Sequence, residues 1–116
     1  MNESLRQKKV ASLIQATLSS QFIHLFQDIS AGLVTVTRVE MTKDLKTARV
    51  YFSVLGKLDD DSVLHRLENR QGTLRKAVAS RTKLKYNPKL IFLRDLAFDH
   101  AERIDELLND MKKNER

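Results

Sequence analysis

The chain has 116 residues, 41% of them hydrophobic and 31% charged, and contains no cysteine. That is enough for one modest core, and it excludes disulfides, thiolate metal sites and cysteine nucleophiles. The formal net charge of +6 and an isoelectric point near 9.8 point to a polyanionic partner. A single domain over residues 1–116 is expected, with 112–116 as a frayed tail. Polar residues recur through MNESLRQKKVASLIQATLSS, without the apolar run of a signal peptide or membrane span, so a soluble cytoplasmic protein is expected.

From Ser4 to about Phe26 apolar residues fall at Leu5, Val10, Leu13, Ile14, Ala16, Leu18, Phe22 and Leu25, the spacing of a helix with one buried stripe. Arg6, Lys8 and Lys9 lie in its first turns, where positive charge opposes the helix dipole and is better explained by an outside anion. LVTVTRVEMT, from Leu33 to Thr42, is rich in β-branched residues with partial alternation and predicts a strand. After the polar connection Thr42–Lys46, Ala48, Val50, Phe52 and Val54 alternate with Arg49, Tyr51, Ser53 and Leu55, so a second strand should close an antiparallel hairpin.

Asp59, Asp60 and Asp61 precede Val63, Leu64, Leu67, Leu74, Ala77 and Val78. Carboxylates at a helix start accept free backbone N–H groups, so this triplet reads as a cap rather than a metal site. Gly72 inside the helix marks a bend or a close contact. The lone proline, Pro88, separates the helix from a third strand, Leu90 to Asp95. A final helix follows, with Asp99 as N-cap, Glu102 three residues on, and Ile104, Leu107, Leu108 and Met111 on one face. The reading is an α+β chain ordered helix, strand, strand, helix, strand, helix, a three-stranded sheet with helices on one face and no apolar face left over for a dimer.

Charge is segregated along the chain. Between Asn69 and Arg94 stand eight bases (Arg70, Arg75, Lys76, Arg81, Lys83, Lys85, Lys89, Arg94) and no acid, whereas seven acids face four bases from Asp95 onward. A solvated helix gains ~0.3 kcal/mol from each Glu–Lys pair four residues apart, and this stretch forgoes that support. Arg75, Lys76, Arg81, Lys83, Lys85 and Lys89, assisted by Arg6, Lys8, Lys9 and Arg94, are therefore the candidate contacts to the phosphates of a polyanion, and Ser80 among them either donates to a phosphate or bonds within its own helix. Tyr86 sits among lysines, placed either to stack on a base or to pack the helix end.

The element order is that of a type II KH domain, and three blocks narrow the resemblance. VEMTKDLKTARVYFSVLG (Val39 to Gly56), GTLRKAVASRTKLKYNPKLIFLRD (Gly72 to Asp95) and the run from Ala101 to Leu108 resemble the signatures of the ribosome-binding factor A family. That resemblance implies a bacterial cytoplasmic factor that binds the free small ribosomal subunit, assists late maturation of its RNA and matters for growth in the cold. The partners it implies are small-subunit RNA with nearby ribosomal proteins, an assembly GTPase being a further candidate; with no leftover apolar face and no membrane span, a monomer away from membranes is expected.

Single-strand-reading KH domains clamp RNA with a GXXG loop, and the glycines here, Gly32, Gly56 and Gly72, form none. At the corresponding joint Ala79, Ser80 and Arg81 resemble the family's alanine-centred helix kink. Phosphate-dominated recognition of folded RNA is the mechanism expected.

Catalysis finds little to build on. At a spacing of four residues His100 has no second ligand and His65 only Asp61, while Asp28, four residues after His24, falls beyond the expected helix end. No phosphate-binding glycine loop or nucleophile elbow is present, so neither enzyme activity nor a metal or cofactor is expected. The competing readings are a general RNA-binding chaperone using the same basic surface and an adaptor that docks a partner on the acidic last helix.

Overall fold

Ser4 opens the first helix with a capping box, its hydroxyl accepting from the Gln7 N–H while the Gln7 side chain accepts from the Ser4 N–H. In the computed structural model, which describes residues 3–26, 32–56, 58–98, 104–105 and 107–109, this helix is α1 (Leu5–Leu25). Its buried side is Gln7, Ala11, Ile14, Thr17, Leu18 and Phe22. The expected stripe is thus rotated: Leu5, Leu13 and Ala16 are exposed, and a glutamine and a threonine take inward positions. Both polar side chains are satisfied, Gln7 by donating to the Met41 carbonyl at 3.0 Å and Thr17 by donating to the Leu13 carbonyl at 2.8 Å.

Strands β1 (Gly32–Met41) and β2 (Thr47–Gly56) form the expected antiparallel hairpin. The partial alternation of β1 has a structural cause. Val34 and Val36 point inward on one phase, Val39 and Met41 on the other, and a bulge between Val36 and Arg38 absorbs the extra residue, Thr37. Gly56 ends β2 at φ 96°, a left-handed conformation that glycine adopts without strain.

Asp59 caps α2 (Asp60–Asn69), its carboxylate accepting from the Ser62 N–H, and Asp60 pairs with Arg94. A single non-helical residue, Arg70 (φ −101°, ψ 11°), divides α2 from α3 (Gln71–Thr82). The expected kink at Ala79, Ser80 and Arg81 is therefore corrected: those residues lie in uninterrupted helix, where the Ser80 hydroxyl donates to the Ala77 carbonyl at 2.8 Å. The break falls beside Asn69 and Gly72, poor helix formers, while the alanines at 77 and 79 favour continuity.

Strand β3 (Lys89–Arg94) pairs parallel to β2, from Thr47↔Lys89 to Phe52↔Arg94, giving a three-stranded sheet in the order β1-β2-β3. Its free edge meets α3 through Gln71, whose amide donates to the Leu90 carbonyl (3.0 Å) and accepts from the Leu90 N–H (3.1 Å). Val34, Val36, Val39 and Met41 from β1, Ala48, Val50, Phe52 and Val54 from β2, and Leu90 and Phe92 from β3 bury one sheet face under the helices. Ile14, Leu18 and Phe22 of α1 meet them there, with Val63 and Leu67 of α2 and Leu74 and Val78 of α3.

The opposite face carries apolar surface that the sequence reading did not anticipate. Leu33 and Leu55, which are register partners, and Ile91 are exposed there. After β3, the Asp95 side chain caps a helical turn at 96–98 by accepting from the Phe98 N–H. Residues 104–105 and 107–109 are helical, with Ile104, Leu107 and Leu108 exposed. The expected cap Asp99, together with His100, Glu102, Met111 and the tail 112–116, lies outside the described residues.

Asp95 is also the lock between strand ends: buried, it accepts from the Thr37 hydroxyl at 2.6 Å and lies 3.5 Å from Arg38 Nε. Burial pushes its carboxyl up, but the Thr37 hydroxyl, the Phe98 N–H and the Arg38 charge together outweigh this and hold it below the ordinary aspartate value of 3.8. Thr37→Val should cost about 1–3 kcal/mol in urea unfolding, because it leaves a buried carboxylate short of a donor. A depressed folded pKa contributes stability above the unfolded value and loses it as pH falls through the folded one. The deficit of Asp95→Asn relative to the parent should therefore be full at neutral pH and shrink below 3.8. At Gly72, a Cβ would meet nothing within 4 Å, so Gly72→Ala should raise stability by about 0.5–1 kcal/mol; a loss would show that the helix break needs glycine.

Candidate nucleic-acid interface

Two hydrogen-bonded seams gather basic segments that are far apart in sequence. The first is the Gln7 side chain on the Met41 carbonyl, which pins the start of α1, and with it Arg6 and Lys8, beside the β1–β2 turn. The second is the Lys89 N–H donating to the Lys46 carbonyl at 2.9 Å, which begins the parallel pairing and draws the α3–β3 loop to the same turn. Arg6, Lys43, Lys85 and Tyr86 consequently line one cavity of about 240 Å3, with Leu45 and Leu84 as apolar walls. Lys8 and Lys43 continue into a neighbouring groove with Arg38 and Arg49.

The turn itself is ordered by Asp44, which accepts from the Thr42 hydroxyl (2.7 Å) and the Lys46 N–H (3.0 Å). Those two hydrogen bonds, the Thr42 hydroxyl first, hold its carboxyl below the usual value, so the turn stays anionic at one point while presenting Lys43 and Lys46. Both loops carry a non-glycine residue in the left-handed region, Leu45 at φ 60° and Lys83 at φ 51°. Such a conformation costs an L-residue roughly 1–2 kcal/mol, and this strain sits at the corner that the cavity occupies.

The α3–β3 loop is clamped. Arg75 donates to the carbonyls of Pro88 (3.2 Å) and Asn87 (2.9 Å), and Asn87 Nδ2 donates back to the Arg75 carbonyl (3.1 Å). Arg75, a predicted phosphate contact, thus has its guanidinium engaged on the backbone, and Arg94 is paired with Asp60. Arg6, Lys8, Lys9, Lys76, Ser80, Arg81, Lys83, Lys85 and Lys89 are exposed. Lys76 and Ser80, four residues apart, lie on the side of α3 away from buried Leu74 and Val78, and Lys83 follows the helix as its left-handed C-cap.

Sequence reasoning missed Lys43 and Lys46, which looked like an ordinary polar turn; pairing of their neighbours in space, not pattern, gives them a site. Lys46 Nζ lies 5.1 Å and Lys85 Nζ 5.4 Å from the centre of the Tyr86 ring. A second depression, of about 530 Å3, lies at the α2–α3 break between Gln21, His24, Arg66, Arg70 and Thr73. There Arg66 donates to the Leu25 carbonyl and stacks over Phe26. Among the described residues no three His, Asp or Glu side chains converge as metal ligands, and no helix is long and apolar enough to cross a membrane.

The comparisons agree with this architecture. The family model described as ribosome-binding factor A matches residues 6–108. A Methylobacterium radiotolerans protein named ribosome-binding factor A is 44% identical over 110 residues, covering 92% of this chain and 78% of that one. The crystal structure of ribosome-binding factor A from Thermus thermophilus shares the fold, with a TM-score of 0.65 at 24% identity over 76% of this chain and 94% of that one. A homology model of the Thermus thermophilus ribosome binding factor A, fitted into the cryo-EM map of its complex with 30S, gives a TM-score of 0.54 at 25% identity over 72% and 93% of the two chains. With a family match from the first turn of α1 to beyond β3, on a KH-like three-stranded α+β fold, the chain belongs to the ribosome-binding factor A family.

Proposed function

We propose that this protein binds the free small ribosomal subunit in the bacterial cytoplasm and assists late maturation of its ribosomal RNA, acting by binding rather than by catalysing a reaction. The observation that carries the reading is the gathering of Arg6, Lys43, Lys46, Lys85 and Lys89 at one corner by two hydrogen-bonded seams, in a family whose Thermus thermophilus relative has been fitted into a 30S complex. Exposed ammonium groups attract phosphates without reading sequence, and their affinity comes chiefly from release of condensed counterions. The exposed bases of α3 and its C-cap, Lys76, Arg81 and Lys83, extend the surface. In place of a GXXG clamp stands the break at Arg70, so this surface recognises the shape and charge of folded RNA.

Charge reversal at Arg81, Lys83 and Lys85, all exposed, should leave the fold intact by circular dichroism and strongly reduce co-sedimentation with free small subunits. Undiminished co-sedimentation of the folded triple variant would dismiss this surface. Affinity for small subunits should fall steeply with salt, each phosphate contact adding about 0.9 or less to the log–log slope. Lys43→Gln with Lys46→Gln should then lower that slope by up to about 2, and an unaltered slope would remove the β1–β2 turn from the interface.

A further inference from the structure

Tyr86 is 53% exposed, an unusual position for an aromatic ring on a loop that is otherwise held fast. Its neighbours are immobilised: Asn87 by the reciprocal bonds with Arg75, Pro88 by burial, and Lys89 by its bond to Lys46. The ring is therefore presented in advance of any ligand, at low entropic cost for whatever stacks on it. Two ammonium groups, Lys46 and Lys85, lie within cation–π distance of it. Both are on long flexible stems and can swing from ring to phosphate.

The cavity beside Tyr86 measures about 240 Å3, below the roughly 300–1,000 Å3 of pockets that enclose drug-sized ligands. It suits one flat ring system. Leu45 and Leu84 give it apolar walls, while Arg6, Lys43 and Lys85 give it cations at the rim. Asp44, the acid in the lining, is turned to the Thr42 hydroxyl and the Lys46 N–H. Among the described residues, the non-glycine residues with left-handed backbone are Leu45 and Lys83, one in each loop that borders this cavity. An exposed aromatic on a clamped loop, ringed by cations and flanked by strained backbone, has the chemistry of a stacking platform for a nucleobase.

We propose that this corner holds one unpaired nucleotide of an RNA strand, its base stacked on Tyr86 and its phosphate held by Arg6, Lys43 and Lys85. The inference rests on the RNA-binding reading above and adds to it a preference that phosphate contacts alone do not give. A duplex keeps its bases stacked on one another and offers this ring no face, whereas a looped-out or single-stranded base does.

The chain has two tyrosines and no tryptophan, so Tyr51→Phe leaves Tyr86 as its sole tyrosine fluorophore. In the full-length Tyr51→Phe protein, a single-stranded oligoribonucleotide should quench the emission, and a blunt RNA duplex with the same number of phosphates should not. Tyr86→Leu, folded by circular dichroism, should bind the single strand about five- to a hundredfold more weakly and the duplex unchanged. Tyr86→Phe should restore the single-strand affinity. Equal quenching by both RNAs, or a Tyr86→Leu protein that binds single strands as the parent does, overturns the stacking subsite while leaving the phosphate-binding surface in place. A parent protein that binds neither RNA overturns the RNA-binding reading, and the subsite with it.

Discussion

The parallel addition of β3 to β2 is the constraint on which the rest of the molecule depends. A parallel neighbour cannot be reached by a tight turn, so the chain must leave β2, cross the sheet as α2 and α3, and return at Pro88. The crossover covers one face of the sheet with Val63, Leu67, Leu74 and Val78. Its return point lies beside the β1–β2 turn because Lys89 pairs with Thr47, the first residue of β2. One pairing register therefore decides both what the core contains and which basic loops become neighbours.

Arginine and lysine divide the work at and around that corner. Arg75 grips the carbonyls of Asn87 and Pro88, Arg38 stacks 3.8 Å from the Tyr51 ring centre and meets Glu40 and Asp95, and Arg94 pairs with Asp60. These are uses for a planar, permanently charged fork that can satisfy several acceptors at once. Lys8, Lys43, Lys46, Lys85 and Lys89 stay exposed, where a hydrated point charge on a flexible stem tracks a phosphate backbone without demanding one geometry. Basic residues equal in a charge count thus play different parts: Arg38, Arg75 and Arg94 hold up the surface that the lysines and Arg6 present.

The order and nature of the elements through β3 were legible because each rests on local signals: the Ser4 and Asp59 caps, the β-branched strands, and Pro88 before β3. The bulge was legible in principle, since Val34 and Val36 fall out of phase with Val39 and Met41. Three features were not. The buried stripe of α1 is set by what its neighbours offer, and the Met41 carbonyl lets Gln7 go inward where periodicity favours Leu5. The helix break was placed at Ala79–Arg81 by resemblance, whereas it falls at Arg70, two residues before Gly72, the glycine inside the helical pattern that had been read as a bend or a close contact. The basic corner depends on pairings between residues about forty positions apart, and no reading of the Asn69–Arg94 run alone could have added Lys43 and Lys46 to it.

The account is tested most directly by lysine footprinting, comparing acetylation of each lysine in the free protein and in its complex with purified small subunits. Strong protection should centre on Lys8, Lys43, Lys46, Lys85 and Lys89, with Lys112 and Lys113 modified as in the free chain. Protection of the C-terminal lysines alone, or none at the corner where α1, the β1–β2 turn and the α3–β3 loop meet, would contradict it.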